Sequence, residues 1–171
     1  AIKFFDWGGD LSRCTATFSK MYETPAKKLE SFLMKQEKSV ENRFYFSPTI
    51  DKGLSGNSRK STCTVSNALD FTLTVSGLEA NTNFALRSGD WISANDWLFR
   101  VEDDVNTDGS GGAIITVNRD LSGKSISGSI RLKYPRGVFK VIPKGYSPFT
   151  RGGDQTYGPI TADFVEVGPD E

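Results

Sequence analysis

The stretch WLFRVEDDVNTDGSGGAIITV, residues 97–117, decides the fold of this chain. Trp97, Phe99 and Val101 occupy every second position before its acidic middle, and Ile115 and Val117 resume the alternation after it. Apolar residues at every second position are typical of a half-buried strand. The stretch therefore predicts two strands joined as a hairpin.

The acidic middle begins like a calcium-binding loop, because Asp104, Asn106, Asp108 and Gly109 fit the opening of the EF-hand pattern. That pattern needs a bidentate glutamate where this chain has Ile115, and helices where this chain has predicted strands. Asp, Asn and Gly also tolerate the positive φ angles of tight turns. We therefore predict a turn and no metal site, with weak cation binding by Asp104, Asn106 and Asp108 left open.

The chain on both sides of this stretch is also rich in strand patterns. After residue 61 the alternation recurs in Leu69, Phe71, Leu73 and Val75, and again in Ile130, Leu132 and Tyr134. Short strands at close spacing with turn residues between them favour a small barrel. The fold class predicted is mainly β with one α-helix (α+β): a small β-barrel or curved β-sandwich module and an N-terminal strand-helix-strand part.

The N-terminal part has one convincing helix, predicted over residues 25–38. Thr24 is a suitable cap, Pro25 suits the first helical position, and Leu29, Phe32 and Leu33 fall on one face. A strand over residues 11–22 precedes this helix, and the short aromatic strand RFYFSP, residues 43–48, follows it.

A length of 171 residues favours a single domain, residues 1–171. Within it we expect an N-terminal part at 1–85, a barrel module at 86–145 and an extended C-terminal arm at 146–171 that ends freely in VGPDE. The Gly- and Ser-containing loop 51–60 and the segment 143–171 are expected to be exposed and poorly ordered until they meet a partner.

Composition excludes several kinds of chemistry. The chain has no histidine, so Ser-His-Asp catalysis and His-containing zinc sites are excluded. Cys14 and Cys63 lie in strand-like sequence, which favours buried reduced thiols. Bases and acids balance at 21 each, so global charge indicates neither nucleic acid nor membrane. The first ten residues lack a signal peptide's apolar region, and no run is long and apolar enough to span a bilayer. We expect a soluble protein without membrane insertion.

Three residue groups could carry a site, but each has a simpler structural interpretation. A carboxylate pair for hydrolysis could come from Asp90, Asp96, Glu102, Asp103, Asp104 and Asp108. A nucleic-acid platform could come from Phe44, Tyr45 and Phe46 with Lys52, Arg59 and Lys60. A sugar-stacking surface could come from Trp91 and Trp97 with Tyr146 and Tyr157. Solvated loops and core aromatics explain these residues better, so we predict no catalytic, cofactor-binding or metal-binding residues, no cofactor and no nucleic-acid specificity.

Charge is sorted along the chain. Residues 119–151 hold eight bases and one acid, residues 152–171 hold five acids and no base, and residues 90–108 hold six acids and one base. Such blocks can neutralise each other within one fold. They also suit a head-to-tail contact between identical subunits, which is the arrangement that closes rings.

Several pieces in this order resemble minor structural proteins of bacteriophage tails, of the distal-tail or tail-hub type. They are WGG at residues 7–9, PAKKLESFLMKQEKSVENRFYFSP at 25–48, RSGDWISANDWLFRVEDDVNTDGSGGAIITV at 87–117 and YPRGVFKV at 134–141. Gly89-Asp90, Leu98-Phe99-Arg100-Val101 and Asp108-Gly109-Ser110-Gly111 match a barrel module of such proteins. Ala94-Asn95-Asp96 stands where these proteins more often have a glycine-bearing turn.

This resemblance implies a virion component without catalytic activity. The implied partners are the chain itself, as a homo-oligomeric ring that we expect to be a hexamer, and neighbouring tail proteins of the tube, hub or fibre. The implied location is the virion tail, with assembly in the host cytoplasm. The alternative is a carbohydrate-binding module that recognises a cell-surface glycan.

Overall fold

A computed structural model of the chain describes residues 2–5 as backbone, and residues 13–38, 42–47 and 54–168 in full. The first part of the chain forms β1 (Ile2–Phe5), β2 (Arg13–Phe18), α1 (Glu23–Glu37) and β3 (Phe44–Phe46). The middle forms β4 (Thr62–Leu69), β5 (Thr72–Ser76), β6 (Trp91–Ala94), β7 (Trp97–Arg100), β8 (Ala113–Thr116) and β9 (Gly128–Arg131). The last part forms β10 (Gly137–Tyr146) and β11 (Ile160–Glu166). The predicted class, mainly β with one helix, is confirmed.

The chain divides into two compact units whose boundaries differ from the expected segments 1–85, 86–145 and 146–171. The first unit combines Ala1–Tyr45 with Val138–Val167, and the second combines Phe46–Gly137 with Gly168–Glu171. The division follows strand pairing, because the last strand joins the sheet that the first strands begin. Alternation within a strand carries no information about such a distant partner.

The second unit is a small antiparallel barrel. Its six strands follow the order β7-β6-β9-β4-β5-β8. The two edge strands meet at an antiparallel bridge between Val101 and Val117. Beside this bridge, the Glu102 N–H donates to the Thr116 carbonyl at 2.9 Å and the Asn118 N–H donates to the Arg100 carbonyl at 3.0 Å. The curled β module expected from the sequence is therefore present.

The hairpin expected for residues 97–117 has a different form. β7 and β8 are antiparallel neighbours, but they meet only at the Val101–Val117 bridge, where the barrel closes. The intervening residues 102–112, here called the acidic excursion, pair with residues 78–86 instead of forming a tight turn between the strands. Thus the Thr107 N–H donates to the Thr82 carbonyl at 3.1 Å, and the Val105 N–H donates to the Leu86 carbonyl at 3.0 Å.

The barrel interior is filled by the alternating apolar residues of its strands and loops. These residues are Cys63, Leu73, Val75, Leu78, Leu86, Ile92, Ala94, Phe99, Val101, Val105, Ile115, Val117, Leu121, Ile126, Ile130 and Leu132. Burying a side chain the size of Leu or Phe stabilises a fold by about 1.5–3 kcal/mol. A one-residue slip of any strand would turn its buried set outward, so this interior also fixes the register.

The first unit is built on a five-stranded sheet in the order β1-β2-β11-β10-β3. β11 lies between β2 and β10, and Phe164 pairs with both Cys14 and Val141. Burial alternates along β11, with Ile160, Ala162 and Phe164 inside. The expectation of an extended arm over 146–171 was therefore wrong for β11, which occupies an interior position of the sheet. Residues 169–171 lie outside the described residues.

The helix α1 begins two residues earlier than predicted. Its N-cap is Tyr22, which makes no side-chain capping hydrogen bond, and Thr24 lies inside the first turn, so the predicted cap was wrong. Ala26 and Leu33 are its buried residues. At 15 residues α1 is too short and too polar to cross a bilayer, and the described part of the chain has no other helix.

Candidate functional site

The acidic excursion uses its polar side chains to hold neighbouring backbone. Asp104 Oδ1 accepts the Ser88 N–H at 2.9 Å, and Asn106 Oδ1 accepts the Phe84 N–H at 2.7 Å. These contacts tie the excursion to the loop that precedes β6. Two of the three proposed cation ligands therefore each fix a separate point of the backbone.

Asp108, the third proposed ligand, forms the predicted turn. Its Oδ1 accepts the Ser110 N–H at 2.7 Å, the Ser110 hydroxyl at 2.7 Å and the Gly112 N–H at 2.8 Å. The Ser110 hydroxyl and these N–H groups hold the pKa of Asp108 below its ordinary value. Gly111 has a φ of 80°, and a Cβ there would collide with the Leu78 carbonyl. Residues 108–112 therefore form a turn within the acidic excursion, and the described ranges contain no cluster of three acidic or cysteine side chains that could hold a metal.

Asp90, a candidate catalytic acid, is a buried structural carboxylate with only 3% of its surface exposed. Its Oδ1 accepts the Ser55 N–H at 2.6 Å and the Ser55 hydroxyl at 2.7 Å. Its Oδ2 accepts the Arg87 N–H at 2.9 Å and the Gly56 N–H at 3.2 Å. Four donors hold this carboxylate in place, so Asp90 has a structural role in the barrel unit.

The loop around residue 57 is held more firmly than expected. Besides Asp90, Glu79 accepts the Ser58 hydroxyl at 2.9 Å and the Arg59 N–H at 3.0 Å. The Ser58 N–H also donates to the Ala85 carbonyl at 3.0 Å. Residues 55–59 are thus hydrogen-bonded to the barrel unit, although Ser55, Asn57 and Arg59 are exposed as expected for loop 51–60. Residues 51–53 of that loop lie outside the described ranges. Sequence reasoning missed Glu79 because its partners are about 20 residues away.

The other candidate carboxylates have different surroundings. Asp96 pairs with Arg136, with Nε and Oδ1 3.3 Å apart, whereas Glu102 and Asp103 are exposed. An acid/base hydrolase needs two carboxyl groups facing one substrate bond. Instead, Asp90, Asp104 and Asp108 each accept backbone N–H groups at a different place in the barrel unit. Asp96 forms an ion pair with Arg136.

Trp91 and Trp97 do not form one sugar-stacking platform. In the β6–β7 ladder Trp97 pairs with Ala94 and Trp91 pairs with Arg100. Ala94 is buried in the barrel and Arg100 is exposed, so the two indole rings lie on opposite faces of the ribbon. Trp97 packs against the barrel core, as the sequence predicted.

The two tyrosines of the same hypothesis belong to the first unit. The Tyr146 hydroxyl donates to Glu37 Oε2 at 2.9 Å. Tyr157 pairs through its backbone with Met21, whose N–H donates to the Tyr157 carbonyl at 2.9 Å. Each has a structural role within the first unit.

The aromatic run of β3 is part of the first unit's packing. The Phe44 ring lies edge-on to Phe32 at 5.4 Å and to Phe164 at 5.2 Å between ring centres. Tyr45 points the other way and is 57% exposed. Of the bases suggested for nucleic-acid binding, Arg59 and Lys60 belong to the second unit and Lys52 lies outside the described residues. Core packing accounts for Phe44 without a ligand.

Both cysteines are buried free thiols, as predicted. Burial raises the pKa of Cys14 to about 12, with Glu166 and Asp163 contributing, and burial alone raises the pKa of Cys63 to about 12. A thiol with so high a pKa carries almost no thiolate at neutral pH, and the thiolate is the nucleophile. Neither cysteine is suited to catalysis.

One polar groove on the barrel was not anticipated. It encloses about 360 Å³ and is lined by Thr62, Ser93, Asn95, Asp96, Ser129, Arg131 and Arg136; we call it the Arg131 groove. Arg131 pairs with Thr62 on one side and with Ser93 on the other, so these three residues form a row across β4, β9 and β6. The only sequence signal was an arginine at an outward position of a strand.

Charge sorting along the sequence is partly neutralised inside the fold. Arg136 from the basic block pairs with Asp96 from the acidic block, while Asp154 pairs with Lys20 at 3.2 Å. The Thr156 hydroxyl and N–H, together with Lys20, lower the pKa of Asp154 to about 2. Asp104 and Asp108 of the acidic excursion accept backbone N–H groups. Neutralisation within the fold thus accounts for part of the pattern.

Comparison of the chain with known protein-family models and with curated proteins finds no match.

Proposed function

We propose that this chain is a non-enzymatic structural protein of a bacteriophage tail, which self-associates into a ring or adaptor and joins neighbouring tail proteins. Support for the tail comes from the order of the resembling pieces over residues 7–141. In this proposal the protein is assembled in the host cytoplasm, becomes part of the virion tail and has neither cofactor nor catalytic residues.

The observation that carries self-association is an exposed apolar surface on the barrel. Leu69 is 59% exposed, Ile114 is 65% exposed, and Phe71, in the turn between β4 and β5, is 48% exposed. Leu69 pairs with Thr72, and Thr72 pairs with Thr116, two residues from Ile114. Leu69 and Ile114 therefore project from the same outer side, which we call the β4–β5–β8 face.

This face also lacks charge. The outward positions of its three strands are occupied by Thr62, Thr64, Asn67, Leu69, Thr72, Thr74, Ser76, Ile114 and Thr116, in a chain that is 25% charged. Centres of protein interfaces are depleted of charged residues and enriched in apolar ones. An uncharged face meets no like-charge repulsion from an identical neighbour, so a second copy is the occupant we assign.

The test is the mass of the purified protein, measured by native mass spectrometry at two concentrations and two salt levels. We expect a discrete oligomer near six subunits, and electron micrographs that show closed rings. The double variant Leu69→Lys, Ile114→Lys should be monomeric, because each lysine would have to be desolvated at the contact. The matched control is Tyr134→Lys, on an exposed tyrosine of the same unit, which should keep the oligomer.

A strict monomer under all four conditions would overturn self-association. An oligomer that survives the double lysine variant would overturn the assignment of the contact to the β4–β5–β8 face. Dissociation at high salt would favour the sorted charges as the driving force over the apolar face, since salt screens the former and not the latter.

A further inference from the structure

We propose that the Arg131 groove binds an acidic sugar, meaning a hydroxyl-rich ring that carries a carboxylate or phosphate. The inference concerns a binding site and does not depend on self-association of the chain. Every residue that lines the groove has a polar or charged side chain. Such a lining offers no apolar side chain for an apolar ligand to pack against, and it would leave polar groups without partners. The ligand must therefore be polar.

The charge of the groove favours an oxyanion. Its lining contains two guanidinium groups and one carboxylate. The carboxylate, Asp96, pairs with Arg136 at 3.3 Å. Arg131 is exposed and forms no ion pair with any residue that the structure describes. The planar guanidinium group of an arginine can donate two parallel hydrogen bonds to a carboxylate or phosphate. Arg131 is therefore the residue we expect to contact the anion.

The remaining lining groups favour a ring with several hydroxyls. Thr62 and Ser93 flank Arg131 on the two neighbouring strands, at the roughly 4.5–5.5 Å spacing of directly paired residues. Ser129 lies two residues before Arg131, on the same side of β9. Hydroxyl side chains both donate and accept, as sugar hydroxyls do. The volume of about 360 Å³ lies within the range of small-ligand sites.

The groove is also preorganised by the barrel. The Arg136 N–H donates to Ser93 Oγ at 3.1 Å, and Ser93 is only 1% exposed. Asn95 and Asp96 have φ angles of 47° and 61°, and Asn95 donates through its amide to the Ser125 carbonyl. Because three paired strands and a fixed turn carry these groups, little backbone conformational entropy is lost when a ligand binds.

The test is a titration of the ¹⁵N-labelled full chain at constant ionic strength, followed by amide chemical shifts. The four probes are glucuronate, glucose 6-phosphate, glucose and inorganic phosphate. We expect saturable shifts at Ser93, Asn95, Ser129 and Arg131 with the two acidic sugars, and binding at least about tenfold weaker with glucose or phosphate alone. Saturation by only one acidic sugar would support the proposal and identify the oxyanion.

Arg131→Gln should weaken the binding of the acidic sugars at least about tenfold. Amide shifts away from the substituted residue should stay unchanged. Arg87→Gln is the matched control, because Arg87 is exposed in the same unit, lies over the Phe84 ring and is not part of the groove. This control should bind like the unaltered chain.

Four results would overturn the proposal: no saturable shift in the groove, equal binding after Arg131→Gln, equal loss after Arg87→Gln, or glucose binding as tightly as glucuronate. Phosphate binding as tightly as glucose 6-phosphate would overturn its sugar part. None of these results bears on the oligomer mass, so this proposal and the proposed function can fail separately.

Discussion

Asp90 lies in a stretch that holds six acidic residues, residues 90–108. Such a stretch is compatible with two different roles for an acid, catalysis and structural hydrogen bonding. The carboxylate accepts hydrogen bonds from residues 55, 56 and 87 and is almost fully buried. A catalytic acid must reach solvent or substrate, whereas a buried acceptor with four donors stabilises the backbone around it. Burial and hydrogen-bond partners thus show that Asp90 is structural, a distinction that the number of nearby acids in the sequence does not make.

Replacing Asp90 by alanine should destabilise the barrel unit by about 2–4 kcal/mol, because backbone N–H groups of three residues would lose their buried acceptor. The measurement is urea unfolding followed by tryptophan fluorescence. Asp104→Ala is the matched control, since Asp104 is exposed and accepts one backbone N–H. It should cost less than about 1 kcal/mol. An equal decrease in the free energy of unfolding of the two variants would show that the hydrogen bonds to Asp90 stabilise the barrel no more than the single bond to Asp104.

At the same scale, the local role of Asp108 could be predicted from sequence, and the role of Asp90 could not. The partners of Asp108 are two and four residues away, within the reach of a turn motif. The partners of Asp90 at residues 55 and 56 come from a loop about 35 residues earlier. Hydrogen bonds from a side chain to its own turn depend on the local sequence. Hydrogen bonds between two distant loops depend on the tertiary fold.

Among the elements, the helix α1 shows how a strong local signal can be displaced. Thr24 and Pro25 form a good N-terminal signature, yet α1 begins at Glu23 with Tyr22 as its cap residue. Tyr22 has extended backbone angles, φ −71° and ψ 167°, which suit a cap, but no side-chain cap bond. The neighbouring Met21 is fixed by its backbone bridge to Tyr157. We infer that this long-range pairing places the start of the helix.

Tyr22→Ser should therefore stabilise the protein by about 0.5–1 kcal/mol, because serine can accept an N–H of the first helical turn. Tyr22 is 75% exposed, so little packing is lost. Tyr22→Ala serves as the control for removal of the ring without a new cap. The midpoint of urea unfolding should rise for serine relative to alanine, and identical midpoints would contradict the capping argument.

The strands themselves were more predictable than their partners. Alternation identified Leu73, Val75, Phe99 and Ile115 as inward residues, and all four are buried in the barrel. Leu69, Phe71 and Tyr134 belong to the same predicted runs but are exposed, because the first run is interrupted by the turn between β4 and β5 and the second ends before Tyr134. A period of two is set by the geometry of the strand alone, so any buried strand shows it. Strand order is not encoded in that period, which is why the position of β11 between β2 and β10 escaped prediction.

At the scale of the whole molecule, the barrel core, among the residues that the structure describes, is formed by residues between 54 and 132. All six barrel strands lie between Thr62 and Arg131, and every one of them pairs with another barrel strand. A unit with its own core and its own complete set of strand pairs can fold independently.

A fragment of residues 54–137 should therefore fold alone, with dispersed amide signals and a cooperative unfolding transition. Its core is small, so a stability below that of the full chain is expected. Residues 1–45 joined to 138–167 by a flexible linker provide the comparison, because they make up the other unit. A fragment 54–137 that stays disordered would show that the barrel needs the first unit to fold.

The position of β11 also determines the order in which the two units can form during translation. Every barrel strand, through Arg131, is synthesised before β10 and β11, and therefore leaves the ribosome before them. The barrel can thus close early, while the side of β2 that β11 will cover stays unpaired. An unpaired strand edge is a template for wrong pairing. The nascent N-terminal strands therefore face their greatest risk of aggregation during the interval between synthesis of β2 and synthesis of β11.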